Sequence, residues 1–114
     1  MGSRRAILEL GMGNDLHGGD YTKAAVRAVQ DALHHSSLSF VRSLGLNADD
    51  MVVEVTVGVQ RPEKVDAAVV GASLPHGKVS VTVVKGGLDV PDDASGDSAV
   101  IATAAVAVSV PRDD

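Results

Sequence analysis

The segment from Val100 to Val110 sets the tightest limit on the fold. Val100, Ala102, Ala104, Val106, Val108 and Val110 fall on one side, and Ile101, Thr103, Ala105 and Ala107 on the other, a period of two that only an extended strand produces. Both sides are small and mostly apolar, as expected of a strand covered on both faces. A chain holding such a strand must build a sheet around it. Met51 to Val59 supplies one neighbour, with Val53, Val55, Val57 and Val59 facing one way and Glu54, Thr56 and Gly58 the other. Val79, Val81 and Val83, alternating with Ser80 and Thr82 and ending at Gly86-Gly87, supply a second. Arg5 to Leu10 reads as the first strand, with Ala6, Leu8 and Leu10 opposite Ile7 and Glu9.

Two stretches carry the helical period instead. From Thr22 to about His34, Ala25, Val26, Val29, Ala32 and Leu33 share a stripe opposite Lys23, Arg27, Gln30, Asp31 and His34, with Asp20 or Thr22 as N-cap. Arg61-Pro62-Glu63 opens a second helix, with Val65, Ala68, Val69 and Ala72 at helical spacing and a stop near Pro75-His76-Gly77. A short helical turn ending at Gly45 is expected between His34 and Leu44. The acidic run Asp89 to Asp97 reads as a solvated or lid-like loop. The order is β-α-β-α-β-β, which predicts a two-layer α/β (α+β) sandwich: about four strands with two helices on one face, in a single domain over residues 1–114. Thr56, Gly58, Ser80, Thr82, Thr103 and Ala105 are left for the other face, bulk too small for anything but close packing against another sheet. A homo-oligomer, a trimer or larger ring, is therefore expected.

Composition removes several function classes. With Lys+Arg 10 against Asp+Glu 15 and aromatic residues at 2%, the chain has neither the cations to neutralise phosphates nor the rings to stack bases, so no nucleic-acid partner is expected. The absence of cysteine excludes disulfides, thiolate metal sites and a cysteine nucleophile, and points to the cytoplasm. Ala6-Ile7-Leu8, broken at once by Glu9, is too short for a signal core or a membrane span, so no membrane partner is expected.

Chemistry concentrates in Gly11-Met12-Gly13-Asn14-Asp15-Leu16-His17-Gly18-Gly19-Asp20, read as a glycine-rich loop between the first strand and helix. A dinucleotide site fails here, because Leu16 takes the third glycine position and Asp15 and Asp20 sit where phosphates need donors. No Gly-Lys-Ser or Gly-Lys-Thr follows a glycine loop elsewhere. What remains is acid–base chemistry on a small-molecule ligand. Asp15 and His17 are the expected pair, since a carboxylate on one imidazole nitrogen fixes the tautomer and raises the basicity of the other. Glu9 and Asp20 are candidate orienters or second acids. Lys23 or Arg27 would anchor a substrate carbonyl or carboxylate, and Gly11, Gly13, Asn14 and Gly18 would line the ligand. The competing structural reading has Asp15 and Asp20 forming Asx turns and capping the helix. Asp15, His17 and Asp20, with His34, His35 or His76, are also donors that Zn, Mn or Fe accept, but their spacing matches no metal signature. No cofactor or metal ligand is assigned, and a divalent ion stays an option.

The stretch Gly11 to Gly18 has the form G-x-G-x-D-x-H-G and resembles the signature of a small conserved-hypothetical family named after a "Lin" locus tag. The resemblance continues through Asp20, Thr22-Lys23-Ala24-Ala25, Arg27-Ala28-Val29, His34-His35 and Ser37-Leu38, and again at Val53-Glu54-Val55 and Gly86-Gly87-Leu88. It implies a stand-alone domain of about this length, found in bacteria and plants, with no established reaction. A slighter likeness joins Gly13-Asn14-Asp15 and Thr22-Lys23 to one βαβ unit of the ring-opening amidohydrolases, cyanuric acid hydrolase and barbiturase. The Ser-Gly-Gly setting of their nucleophile is missing, and one short chain would have to trimerise to replace three fused domains.

Overall fold

A computed structural model describes residues 3–34, 50–74 and 77–111. Its elements are β1 (Ser3–Asp15), α1 (Tyr21–His34), β2 (Val52–Val59), a 3-10 turn (Pro62–Lys64), α2 (Ala67–Ala72), β3 (Lys78–Lys85), β4 (Leu88–Asp92) and β5 (Asp97–Pro111). The turn expected near Gly45 lies outside the described residues, as do His35 and His76.

The five strands form one mixed sheet in the order β1-β5-β2-β3, with β4 also paired to β5. The Val100 to Val110 segment is its centre. Along one edge of β5 runs β1, antiparallel from Ser3↔Pro111 to Asp15↔Val100. Along the other edge, β2 pairs with residues 103–109 and β4 with residues 97–101, both antiparallel. β3 joins β2 in parallel. β1, β2 and β3 therefore point the same way, and their C-terminal ends gather with the start of α1 at one end of the sheet.

The helices cover one face. Val53, Val55 and Val57 of β2 and Val100, Ala102, Ala104, Val106 and Val108 of β5 are buried beneath them, as the alternation requires. Helix α1 begins one residue earlier than predicted, at Tyr21. Asp20 is its cap, accepting the Lys23 amide at 3.0 Å. Its innermost stripe is Ala24, Ala28 and Ala32, each 0% exposed, and it rests directly on β1. A Cβ on Gly11 would fall on the backbone of Ala28 and Ala32, and one on Gly13 on that of Ala24 and Ala28. The sandwich closes here because small residues face each other across it.

Three expectations change. The first strand runs on through Asp15, because Gly11 and Gly13 are needed under the helix and keep pairing with Ala104 and Ala102. The second helix is split. Pro62 starts a 3-10 turn, Val65 and Asp66 are extended, and Asp66 caps a new helix by accepting the Ala68 and Val69 amides at 3.1 and 3.4 Å. This turns Val70 into the core and leaves Val69 48% exposed. The acidic run is half strand: Asp89 to Asp92 belongs to β4, which turns through Gly96 (φ 72°) into β5 as a hairpin. The sheet thus has five strands, and its open face is less bare than predicted. Beside Thr56, Thr82, Thr103 and Ala105 it carries Leu8, Leu10 and Met12 of β1 and Leu88 and Val90 of β4, all exposed.

Candidate functional site

The end of the sheet where β1 meets α1 is built from backbone outward. Asp15, 6% exposed, is the last residue of β1. Its Oδ2 accepts the Asp20 amide at 2.8 Å, and its Oδ1 lies 3.8 Å from Arg27 Nη1. Arg27 Nη1 in turn donates to the Asn14 carbonyl at 2.8 Å. One turn further along α1, Asp31 accepts the Met12 amide at 2.9 Å. Arg27 and Asp31 thereby satisfy backbone groups of β1 on the edge that β5 does not pair, which blunts that edge against pairing with another strand.

These contacts separate the residues that the sequence put together. Asp15 and Asp20 face backbone amides, as in the structural reading, and Arg27 is held by Asn14 and Asp15. Gly11 and Gly13 are buried under α1. Glu9, half-buried on the same side of β1 as Asp15, stands six residues before it in an extended strand, which at about 3.3 Å per residue is about 20 Å away. It cannot orient His17. Lys23 is exposed in the first turn of α1. Asp15, His17 and Asp20 do not gather as a donor set, and no group of three potential metal ligands occurs among the described residues.

His17 has a different partner. Its Nδ1 hydrogen-bonds Asp97 Oδ2 at 3.3 Å, and Asp97 Oδ1 accepts the Gly18 amide at 3.3 Å and the Ser98 amide at 3.1 Å. Gly18 (φ 90°) and Gly19 (φ 63°) supply the left-handed turn that presents this amide. The amides of Gly18 and Ser98, and after them the imidazole, hold the Asp97 carboxyl below the ordinary carboxylate range. The His17 side chain is otherwise open to solvent, 87% exposed. It stands at a cleft of about 290 Å³ whose apolar wall is Leu16, Val90, Pro91 and Ala99 and whose polar wall is Asp92, Ser95 and Asp97. Asp92 shapes the hairpin that brings Asp97 there, accepting the Ala94 amide and the Ser95 hydroxyl, each at 3.0 Å.

A second polar contact ties the hairpin to α1. Tyr21, buried, donates to Asp89 Oδ2 at 2.5 Å. Burial, and then the bond to Asp89, pushes the phenol's pKa up. Asp89, Ser95 and Asp97 were missed in the sequence because an acidic run reads as solvated loop, and Tyr21 because it stands before the expected start of the helix. The alternation Leu88-Asp89-Val90 followed by a Gly96 turn marks the hairpin that carries the first three.

Among the described residues no helix is long and apolar enough to cross a membrane. The fold is shared with a crystal structure of an FtsZ-like protein of unknown function from Nostoc punctiforme PCC 73102, which is 38% identical over 98% of this chain and 99% of that one, with a TM-score of 0.85. No curated protein matches the chain. The conserved hypothetical family Lin0512_fam matches residues 5–108, nearly the whole of the sheet and both helices, and the chain belongs to that family.

Proposed function

We propose that this chain is a small cytoplasmic enzyme, working as a homo-oligomer, that performs acid–base chemistry on a polar small molecule at the His17 cleft. The observation that carries the reading is the His17–Asp97 hydrogen bond at the mouth of that cleft. An ionised carboxylate on Nδ1 keeps the proton there and leaves Nε2 as the basic nitrogen. Nε2 takes a proton from the substrate, or from a water attacking it, and returns it to the product. Asp15 and Asp20 support this pair by fixing the turn, and Lys23 is the exposed cation at the helix N-terminus suited to a substrate carbonyl. Hydrolysis, isomerisation and cyclisation all use such a step.

The test is a panel of cyclic amides, imides and lactones followed by proton release, run on wild type, His17→Gln and Asp97→Asn. Wild type is expected to turn over at least one class, His17→Gln to lose about 100-fold or more at the wild-type melting temperature, and Asp97→Asn to melt only slightly lower. Turnover of none of them, or turnover that survives His17→Gln, contradicts the reading. The exposed apolar sheet face favours a second reading, a non-catalytic assembly module, which retains its oligomeric state in His17→Gln and has no activity to lose.

A further inference from the structure

We propose that the open face of the sheet is a self-association surface, stacked two-fold against the same face of a second copy. This rests on the assembly half of the function proposed above and not on its acid–base half. The face has relief. Leu8, Leu10 and Met12 of β1, 48%, 66% and 62% exposed, form one ridge, and Leu88 and Val90 of β4, 59% and 48% exposed, form another. Between and beside them the register sets a valley of small residues: Thr103, Ala105 and Ala107 of β5 and Thr56 of β2. Ridge and valley lie on one surface, so a two-fold stack seats the β1 ridge of each copy in the valley of the other. Facing sheets interdigitate in this way in sandwich cores.

Size and charge point to the same occupant. Three to four strands about 4.8 Å apart span roughly 14–19 Å, and Ala99 to Ala107 extends roughly 27 Å, giving about 500 Å² per copy and about 1,000 Å² in all, the size at which a specific interface begins. The chain carries a net charge of −5, yet among the described side chains the charged ones placed on this face by the strand register lie at its ends: Glu54 and Lys78 at one, Asp92 and Asp97 at the other. Two like-charged copies meet across its uncharged middle, whereas an anionic lipid surface finds no basic patch there. Val90 and Ala99 belong both to this face and to the His17 cleft, so the second copy borders the cleft.

The experiment is sedimentation equilibrium of wild type and of Leu10→Glu/Met12→Glu, combined with bismaleimide cross-linking of single-cysteine variants, which the absence of native cysteine makes unambiguous. Wild type is expected at twice 11.6 kDa, and the double variant at the monomer mass with unchanged circular dichroism, its dissociation constant raised about 100-fold or more. Thr103→Cys is expected to cross-link between copies and Lys23→Cys, on the helical side, is not. A wild-type monomer at about 100 µM overturns this inference and the assembly half of the proposed function together. An oligomer that survives Leu10→Glu/Met12→Glu, that links through Lys23→Cys but not Thr103→Cys, or that has the mass of a trimer or ring overturns this surface alone. Turnover, read separately, carries the acid–base half.

Discussion

Asp15 and Asp97 are both acidic residues beside one turn, and the structure gives them opposite work. Asp15 is sealed and bonded to the Asp20 amide and, more distantly, to Arg27. Its replacement by Ala is expected to cost about 1–3 kcal/mol, because a backbone amide loses its partner in a part-buried site, and thermal unfolding measures that loss. Asp97 is at the surface and holds Gly18 and His17. Its pKa is lowered in the folded chain, so its contribution is present above the ordinary Asp value of about 3.9 and is lost as pH falls through the lower, folded value. The Gly18 amide nitrogen shift is therefore expected to titrate at a pH below about 3.9 and to stop titrating there in Asp97→Asn. A Gly18 inflection that persists in the variant contradicts the assignment. The density of His17, Asp15 and Asp20 in six positions singled out this turn in the sequence, but which groups pair was not legible. The true partner of His17 lies 80 residues away in sequence, and a single sequence carries no signal at that separation.

At the level of elements, the decisive contact is α1 on β1. Gly11 and Gly13 let the helix backbone reach the strand, so Gly13→Ala pushes them apart and is expected to cost about 3 kcal/mol, measured by urea denaturation. A Gly13→Ala protein as stable as wild type would show that the two elements do not touch there. The same glycines misled the sequence reading, since Gly-x-Gly before a helix looks like a ligand loop whether its close neighbour is a ligand or an alanine helix. The strands of period two were legible from Val53 to Val59 and from Val100 to Val108 because buried faces demand alternation. The second helix was not, because Asp66 competes for its start: with Asp66 as N-cap the apolar residue turned inward is Val70. Asp66→Ala is expected to cost about 1 kcal/mol in thermal unfolding.

For the whole molecule, one layer of helices covers one side of a five-stranded sheet, and the other side is open, apolar along β1 and β4 and polar along β2 and β3. The layer arrangement followed from the order of periodic segments. The bulk on the open side did not, because Met12 counts as a face residue only once β1 is known to continue past Leu10, and Leu88 and Val90 only once β4 exists. The proposed function sits at the hairpin end, where two segments distant in sequence close on each other through one histidine and one aspartate. The measurement that tests this most directly is turnover and melting temperature taken together for Asp97→Asn and Asp15→Asn. The account predicts that Asp97→Asn loses activity with only a small fall in melting temperature, while Asp15→Asn melts several degrees lower and keeps its activity when folded. Full activity in Asp97→Asn, beside a stable but inactive Asp15→Asn, would return the chemistry to the pair that the sequence first proposed.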